Sequence, residues 1–482
     1  MRKKIFLLQT IFVLFIFSAN AQEFISIANS VEGYTTKIKN HNDTIYLLCN
    51  FKMGTNYYLP VLYRYSKTGE KIDSIIFNRP ESTFFYSMMF KNDSIYLFGR
   101  RTNAISSQDD IEMVILNNNL QILKDTIPST NYGIIFNFFI VQDFSNHIIV
   151  YGSYAISLTN QQMKAFVLRL DLNANVTTEK RFGGGINDWM LFNLVKYNTN
   201  RYYTFANTND YLGQTNNGSV VLTLDSVFNV IHADSVPLMT NTEDGFALSS
   251  KIYVSGKRFT GNQKFNYCLV KTDTSFNIID WIDFGHLDTI DFPGSFKSNV
   301  FTTFGEIYVG GIINFSPNGY PYPQSPSWIQ ISRVDTNCNL KWNKRFGKDG
   351  INYVLWDMEA TPDGGCLLAC SSYDYEIGIH KRNIAVFKVD STGNAYELIG
   401  DIPNPQNVLI YPNPASDNIT IENPNFIKDK LILIYNIQGQ LLIQLKLKQK
   451  RINVDISVLS KGLYIVKIKS EKGIIIKKFI KE

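Results

Sequence analysis

Histidine, cysteine and tryptophan are scarce in this chain, with five of each in 482 residues. The histidines, His41, His147, His232, His286 and His380, stand far apart. No His-Glu-x-x-His joins any two of them, so their spacing gives no metal site. Cys49, Cys268, Cys338, Cys366 and Cys370 are an odd, sparse set, which excludes a disulfide framework. Cys366 and Cys370 lie four apart on an expected strand, about 13 Å and beyond a bridge's reach. Buried free thiols are expected; the alternative is one bridge between Cys49 and Cys370, which hold matching places in two repeats. No Gly-x-Ser-x-Gly elbow and no cysteine nucleophile motif occur, and Gly183-Gly-Gly185 reads as a turn, not a phosphate loop. Charged residues make up only 18% of the chain against 14% aromatics, a balance that favours strands over solvated helices.

Long apolar runs are equally rare. Ile5–Phe17 is one, preceded by Arg2, Lys3 and Lys4 and followed by Ser18-Ala19-Asn20-Ala21. A positive start, an apolar stretch short of the roughly 20 residues that span a bilayer, and a small-x-small end make 1–21 an expected signal peptide, cut between Ala21 and Gln22. No later segment has the length and apolarity of a spanning helix. The net charge of +5 is uneven: +3 in residues 1–21, −4 in 22–400 and +6 in 401–482. A basic excess confined to the tail reads as a solvated strand face and gives the body no footprint for nucleic acid.

What is present is repetition. A β-rich run ending in a small residue recurs seven times at roughly 50 to 60 residues. The runs are Thr44–Cys49, Ser94–Gly99, His147–Gly152, Arg201–Ala206, Lys251–Gly256, Glu306–Gly311 and Gly365–Cys370. Each leads through a polar loop to a second strand, then to a turn rich in Asp, Asn and Gly such as Asp335-Thr-Asn337 or Asp390-Ser-Thr-Gly393. A third strand follows, as in Glu70–Phe77, Asn339–Phe346 and Asn394–Ile399. The fourth strand of each unit is assigned to the less regular segment before each run, as in Tyr34–Lys39 and Val354–Ala360. Runs without alternation are strands buried on both faces, as in a stack of small sheets. The expectation is an all-β chain whose residues 22–400 form a seven-bladed β-propeller, with Glu23–Asn29 closing the ring against the last repeat. An open β-solenoid is the rival. Two repeats carry a fuller signature, Arg181-Phe-Gly-Gly-Gly with Asp188-Trp189, and Arg345-Phe-Gly with Thr361-Pro-Asp-Gly-Gly365. These resemble propeller-like repeats of secreted Bacteroidetes proteins, which implies fold and little about activity.

After a Pro-rich linker at 401–407, residues 408–482 carry six or seven short strands, expected to form a small Ig-like β-sandwich. This tail resembles the C-terminal sorting domain of type IX secretion substrates. The resemblance rests on Tyr411-Pro412-Asn413-Pro414, Asn436 with Gly439, Asp455-Ile-Ser457, Gly462-Leu-Tyr464 with Lys467, and Lys477-Lys478 before the end. It implies the type IX machinery as partner, passage across the outer membrane, and removal of the tail. The released body would then be attached to surface lipopolysaccharide or shed.

The body's own chemistry is thinner. Asp109-Asp110 and Glu243-Asp244 are expected in solvated loops, with at most weak Ca²⁺ binding and otherwise no cofactor. The segment Asn314–Trp328 places Tyr320, Tyr322 and Trp328 on an aromatic, Pro-rich loop, able to stack on a ligand or to pack over a neighbouring blade. The Asp-Ser/Thr-aliphatic triplets, at Asp43, Asp73, Asp93, Asp125, Asp225, Asp234 and Asp288, resemble O-glycosylation sites of Bacteroidetes exported proteins and equally suit turns. The sequence therefore points to an exported, non-catalytic binding protein for a polysaccharide or protein. The alternatives are a glycan-degrading hydrolase with its site in the propeller funnel and a structural surface protein.

Overall fold

The computed structural model describes residues 18–19, 25–27, 31–54, 57–103, 108–128, 134–142, 147–155, 163–183, 187–210, 216–261, 264–286, 288–377, 380–395, 409–422, 430–436, 440–447, 451–470 and 473–482. The expected cleavage position Ala21–Gln22, the linker 401–407 and Gly439 lie outside them. Two compact units are present, divided near Leu398.

In the larger unit, consecutive strands pair antiparallel into sheets, one per sequence repeat. Sheet 1 is Glu32–His41, Thr44–Lys52, Tyr58–Ser66 and Lys71–Ile76, and sheet 2 is Thr83–Lys91, Ser94–Thr102, Asp109–Asn117 and Ile122–Thr126. Sheet 3 runs from Ile134–Gln142 to Val176–Phe182, sheet 4 from Asn187–Asn198 to Val230–Asp234, and sheet 5 from Asn241–Leu248 to Ile278–Phe284. Sheet 6 begins with a broken strand, Phe292–Pro293 and Asn299–Phe301, and ends with Leu340–Phe346. Sheet 7 contains Ile351–Ala360, Cys366–Asp374 and Asn383–Val389. Its fourth place goes to Ile25–Ile27 and not to the expected strand Asn394–Ile399, of which Ala395 makes one bridge to Val389 and 396–399 are not described.

Each second strand is buried on both faces because a sheet lies on either side. Ile45–Phe51 and Ile148–Ala155 are buried throughout, which explains their lack of alternation. Apolar clusters join sheet 1 to 2, 2 to 3, and so on to 6 and 7. Sheet 7 returns to sheet 1 through Gly33 N–H donating to Arg382 O at 2.9 Å and through ion pairs described below. Fully buried Leu, Ile or Phe side chains such as Leu48, Leu97 and Phe166 stabilise this stack by about 1.5–3 kcal/mol each. The fold of this unit is a β-propeller. Its outer strands are half-buried to exposed along most of their length, Val176–Phe182 alternating between the two, because the outer rim faces water.

The first strands are irregular for a specific reason. In sheets 1, 2, 3, 4, 5 and 7 the register slips by one residue, at Thr36, Tyr86, Phe136, Phe192, Glu243 and Trp356. A bulge reverses the in–out phase halfway along the strand, so no single alternation survives in the sequence. Beside two of these bulges the partner strand carries glycine. A Cβ on Gly99 would meet Phe84 O at 2.3 Å, and one on Gly256 would meet Asn241 O at 2.0 Å.

The inter-strand turns repeat one device. Asp171, Asp225, Asp273, Asp335 and Asp390 each accept, at Oδ1, the N–H groups two and four residues on. Their other oxygen takes the Asn side chain four residues on. These N–H donors hold the Asp335 carboxyl down at about 2 although burial opposes them.

The smaller unit is two sheets on one core. Leu409–Tyr411, Asn418–Glu422 and Arg451–Asp455 face Leu441–Leu447, Lys430–Asn436, Gly462–Ser470 and Gly473–Lys481. Ile419, Ile421 and Val454 meet Ile432, Ile434, Val466, Ile468 and Phe479 between them.

Candidate functional site

The residue after each bulge is polar: Lys37, Ser87, Asn137, Asn193, Asp244 and Asp357; in sheet 6 the matching place, bonded to Gly310 N–H, is held by Ser298. First strands of neighbouring sheets lie side by side around the propeller axis, so these residues gather there from distant positions. Lys37 Nζ donates to Asp357 Oδ1 at 2.9 Å across 320 residues, and Ile38 N–H donates to Oδ2 at 2.8 Å. Asn193 Nδ2 and Gly245 N–H donate to Asp244 Oδ1, while Ser298 and Asn299 N–H both donate to its Oδ2 at 3.1 Å.

One turn further along the axis Lys39 Nζ donates to Glu359 Oε2 at 2.9 Å, and Lys297 Nζ stands 3.6 Å from the same oxygen. Lys297 reaches this point because five residues, 294–298, loop out of the broken strand opposite Gly310. The loop is fixed by Ser295 N–H donating to Leu355 O and by Phe296 and Lys297 N–H donating to Trp356 O. Burial, aided by Lys297 and Lys37, lowers the Lys39 ammonium's pKa against the pull of Glu359. Burial also works against Lys297, but Glu359, Asp357 and Asp244 overcome it and its pKa rises. Burial pushes Asp244 up to about 6 despite its four donors. Its neighbour Glu243 goes to about 7, through burial and the Asp244 charge, with Lys257 opposing at 3.9 Å. Lys39, Asp244, Lys297 and Glu359 line a cavity of about 590 Å³ whose other walls include Phe246, Leu248, Val300, Phe301 and Pro362.

A second cavity, of about 300 Å³, shares no residue with the first. Phe292, Pro293, Ser295, Ile312, Phe315, Tyr320, Val354 and Trp356 enclose it. Phe296 lies 5.6 Å from Trp356, and Tyr34 meets the other edge of that ring at 6.3 Å. Of the loop residues singled out in the sequence, Tyr320 belongs to this cavity and is 41% exposed. Tyr322 packs instead over the neighbouring sheet, 5.2 Å from Tyr373 and stacked on His380 at 4.9 Å. Trp328 lies under Arg345, 3.5 Å from ring centre to guanidinium carbon, so neither serves the cavity. Behind Tyr320, the fully buried Arg382 donates to Pro321 O and to Asn352 Oδ1.

Two expectations need correction. Glu243-Asp244 is no solvated loop pair: it sits in the first strand of sheet 5, at the bulge, and both acids are taken inside. Asp109-Asp110 opens a strand, with Asp109 buried against Arg100 at 3.0 Å and Thr102 Oγ1 at 2.6 Å. Among the described residues no group of three or more His, Cys, Asp or Glu converges as metal ligands. All five cysteines are buried free thiols, so the Cys49–Cys370 bridge is not formed. Burial raises the thiols of Cys268 and Cys366 far above the reactive range. The polar position shared by the repeats is the signal that marks Lys37, Asp244 and Asp357, whereas Lys39, Lys297 and Glu359 have no local motif.

In the smaller unit the motif residues tie its first segment to its last strand. Asn413 Oδ1 accepts Ile480 N–H at 2.8 Å, Asn413 Nδ2 donates to Lys478 O, and Ala415 N–H donates to Ile480 O at 2.8 Å. Tyr411 Oη and Arg451 Nη2 both donate to Glu422 Oε2. Asn436 Oδ1 accepts Gln440 N–H across the turn, and Tyr464 stacks on Phe479 while donating to Ser460 O at 2.6 Å. Gly462 takes a positive φ; Lys467 is half-buried, and Lys477 and Lys478 are exposed.

No curated protein matches the chain in sequence. Solved structures resemble it in part. An α-L-arabinanase of Penicillium chrysogenum, complexed with arabinobiose, is 12% identical over 66% of this chain and 98% of its own, with a TM-score of 0.44. A protein of unknown function from Dyadobacter fermentans is 10% identical over 67% and 96%, at 0.40. Prolyl oligopeptidase B of Galerina marginata is 10% identical over 72% at 0.38, and the chain spans 47% of that enzyme's length. Residues 409–482 match the family described as "Secretion system C-terminal sorting domain". With the strands, the core and the stapled motif all inside that range, residues 409–482 belong to the type IX sorting domains, and the chain is one exported to the outer cell surface or released beyond it.

Proposed function

We propose that the body is a non-catalytic binding module: a seven-bladed propeller that the type IX machinery exports by means of an Ig-like tail. The module takes a polysaccharide or protein ligand at its aromatic end. After tail removal the body stays on surface lipopolysaccharide or is shed. The observation that carries this reading is the 300 Å³ cavity, walled by Phe292, Phe315, Tyr320 and Trp356 and free of carboxylate, imidazole and amine in its lining. Such walls stack on sugar rings or apolar side chains and supply no proton donor or acceptor of catalytic strength.

A hydrolase is the second reading, and one feature favours it. Glu243 is held near 7, as a general acid would be. Its partner Lys257 lies 4.2 Å from the Phe292 ring centre, at the cavity wall. The axial acids Asp244 and Asp357 do not help it, because N–H groups already occupy both oxygens of each. The test is a screen of the mature chain against glycans and extracellular-matrix proteins, with products weighed by mass spectrometry. Retention of an intact ligand, lost in Trp356→Ala, supports the binding module. A cleaved ligand, with cleavage lost in Glu243→Gln, replaces it with the hydrolase. Silence throughout leaves a structural surface protein.

A further inference from the structure

We infer that the larger axial cavity is a second, separate site, built for a small ring-shaped acid of the hexuronic type. It does not rest on the aromatic-end reading, since the two cavities share no lining residue.

Donors outnumber acceptors in this cavity. Each lysine ammonium offers three N–H donors. Lys39 uses one, on Glu359 Oε2, and Lys297 stands 3.6 Å from that same atom, outside ordinary hydrogen-bond length. Asp244, the other acid of the wall, has both oxygens engaged by N–H groups of the protein. The cavity therefore has ammonium hydrogens to spare, one remaining carboxylate acceptor, Glu359 Oε1, and the buried, unpartnered amide oxygen Asn40 Oδ1. Spare cationic donors call for a carboxylate on the ligand. A lone carboxylate acceptor beside them calls for a hydroxyl. Phe246 and Phe301, with ring centres 5.7 Å apart, give the cavity apolar walls against which the C–H edge of a saturated ring can lie. Acid, hydroxyl and ring together describe a sugar acid. The volume, about 590 Å³, falls within the range of roughly 300–1,000 Å³ usual for small-ligand sites and admits one or two sugar rings.

Location supports the same conclusion. Lys297 is brought to the axis only by the 294–298 loop, the one place where the described first strands depart from a single-residue bulge. The backbone of that loop is anchored by Asp244 and by the carbonyls of Leu355 and Trp356, so the lysine is presented from a fixed base.

The experiment is titration calorimetry of the mature chain with D-galacturonate, using D-galactose as the neutral control. Saturable binding of galacturonate with no heat from galactose is the expected result. Lys297→Gln should weaken it about 10-fold or more, the loss of one charge-assisted contact. Lys39→Gln should do the same, but it also removes a contact between sheets 1 and 7, so the Lys297 variant carries the test. Its fold is checked by an unchanged melting curve. Tyr320→Ala, in the aromatic cavity and away from the 294–298 loop, should leave galacturonate binding intact even if it abolishes ligand capture at the aromatic end. Equal binding of galactose, absence of binding at millimolar galacturonate, or unchanged affinity in a folded Lys297→Gln protein would each overturn the inference.

Discussion

The propeller and the sorting tail are both all-β, yet they use polar residues in opposite ways. In the propeller, polar side chains are taken inside, where they link each sheet to its neighbour around the ring. Asn50 exchanges hydrogen bonds with the backbone of Phe85, Ser153 accepts from Leu191, and Lys37 closes on Asp357. In the tail, strands such as Asn418–Glu422 alternate cleanly, and the polar motif lies at the surface, tying the segment around Asn413 to the last strand. A contiguous motif thus identifies the tail, whereas the propeller's working residues are assembled by the closure of the ring.

The contrast can be broken at several strengths. The largest effect is expected from removing 408–482: the body should stay in the periplasm, and cell fractionation with surface protease digestion would show it. Surface display without the tail would end the sorting account. Next is Asp357→Ala. Stranding Lys37 among buried surfaces should cost about 3–5 kcal/mol in denaturant unfolding, while the double change Lys37→Met with Asp357→Leu should cost far less. If both cost the same, the pair is not what closes sheet 7 on sheet 1.

Glu243→Gln sharpens the comparison through pH. The folded value of about 7 lies above the usual carboxylate value, so folding takes up a proton between the two. The glutamate's native state is unpenalised below the unfolded value. It loses stability as pH rises towards 7, by on the order of 2–3 kcal/mol. The glutamine variant should melt higher than the parent at pH 8 and equally at pH 4.5; parallel melting curves at both would refute the buried-acid assignment. The smallest effect belongs to the tail surface. Asn413→Ala should cost about 1 kcal/mol through its bonds to Ile480 and Lys478, read as a lower melting point of the tail and reduced surface yield.

Much of this was legible beforehand, for reasons that individual residues make plain. The runs Ile45–Phe51 and Ile148–Ala155 announced strands covered on both faces, and Asp335 and Asp390 marked their turns. The first strands were obscured by bulges such as Trp356, which shift the pattern by one residue. Glu243-Asp244 was misplaced for the same reason, since two adjacent acids look like a loop unless the bulge that turns both inward is known. Lys39, Lys297 and Glu359 had no motif because no local spacing relates them; only ring closure does. In the loop, Tyr320 was separable from Tyr322 and Trp328 only once His380 and Arg345 were in place beside the other two.

The most direct test of the central claim is the mass of the ligand after contact with the mature chain. From a binding module, a glycan or protein held at the aromatic end is recovered whole, with retention lost in Trp356→Ala and kept in Glu243→Gln. Recovery of fragments, suppressed by Glu243→Gln, would contradict it and make the propeller an enzyme.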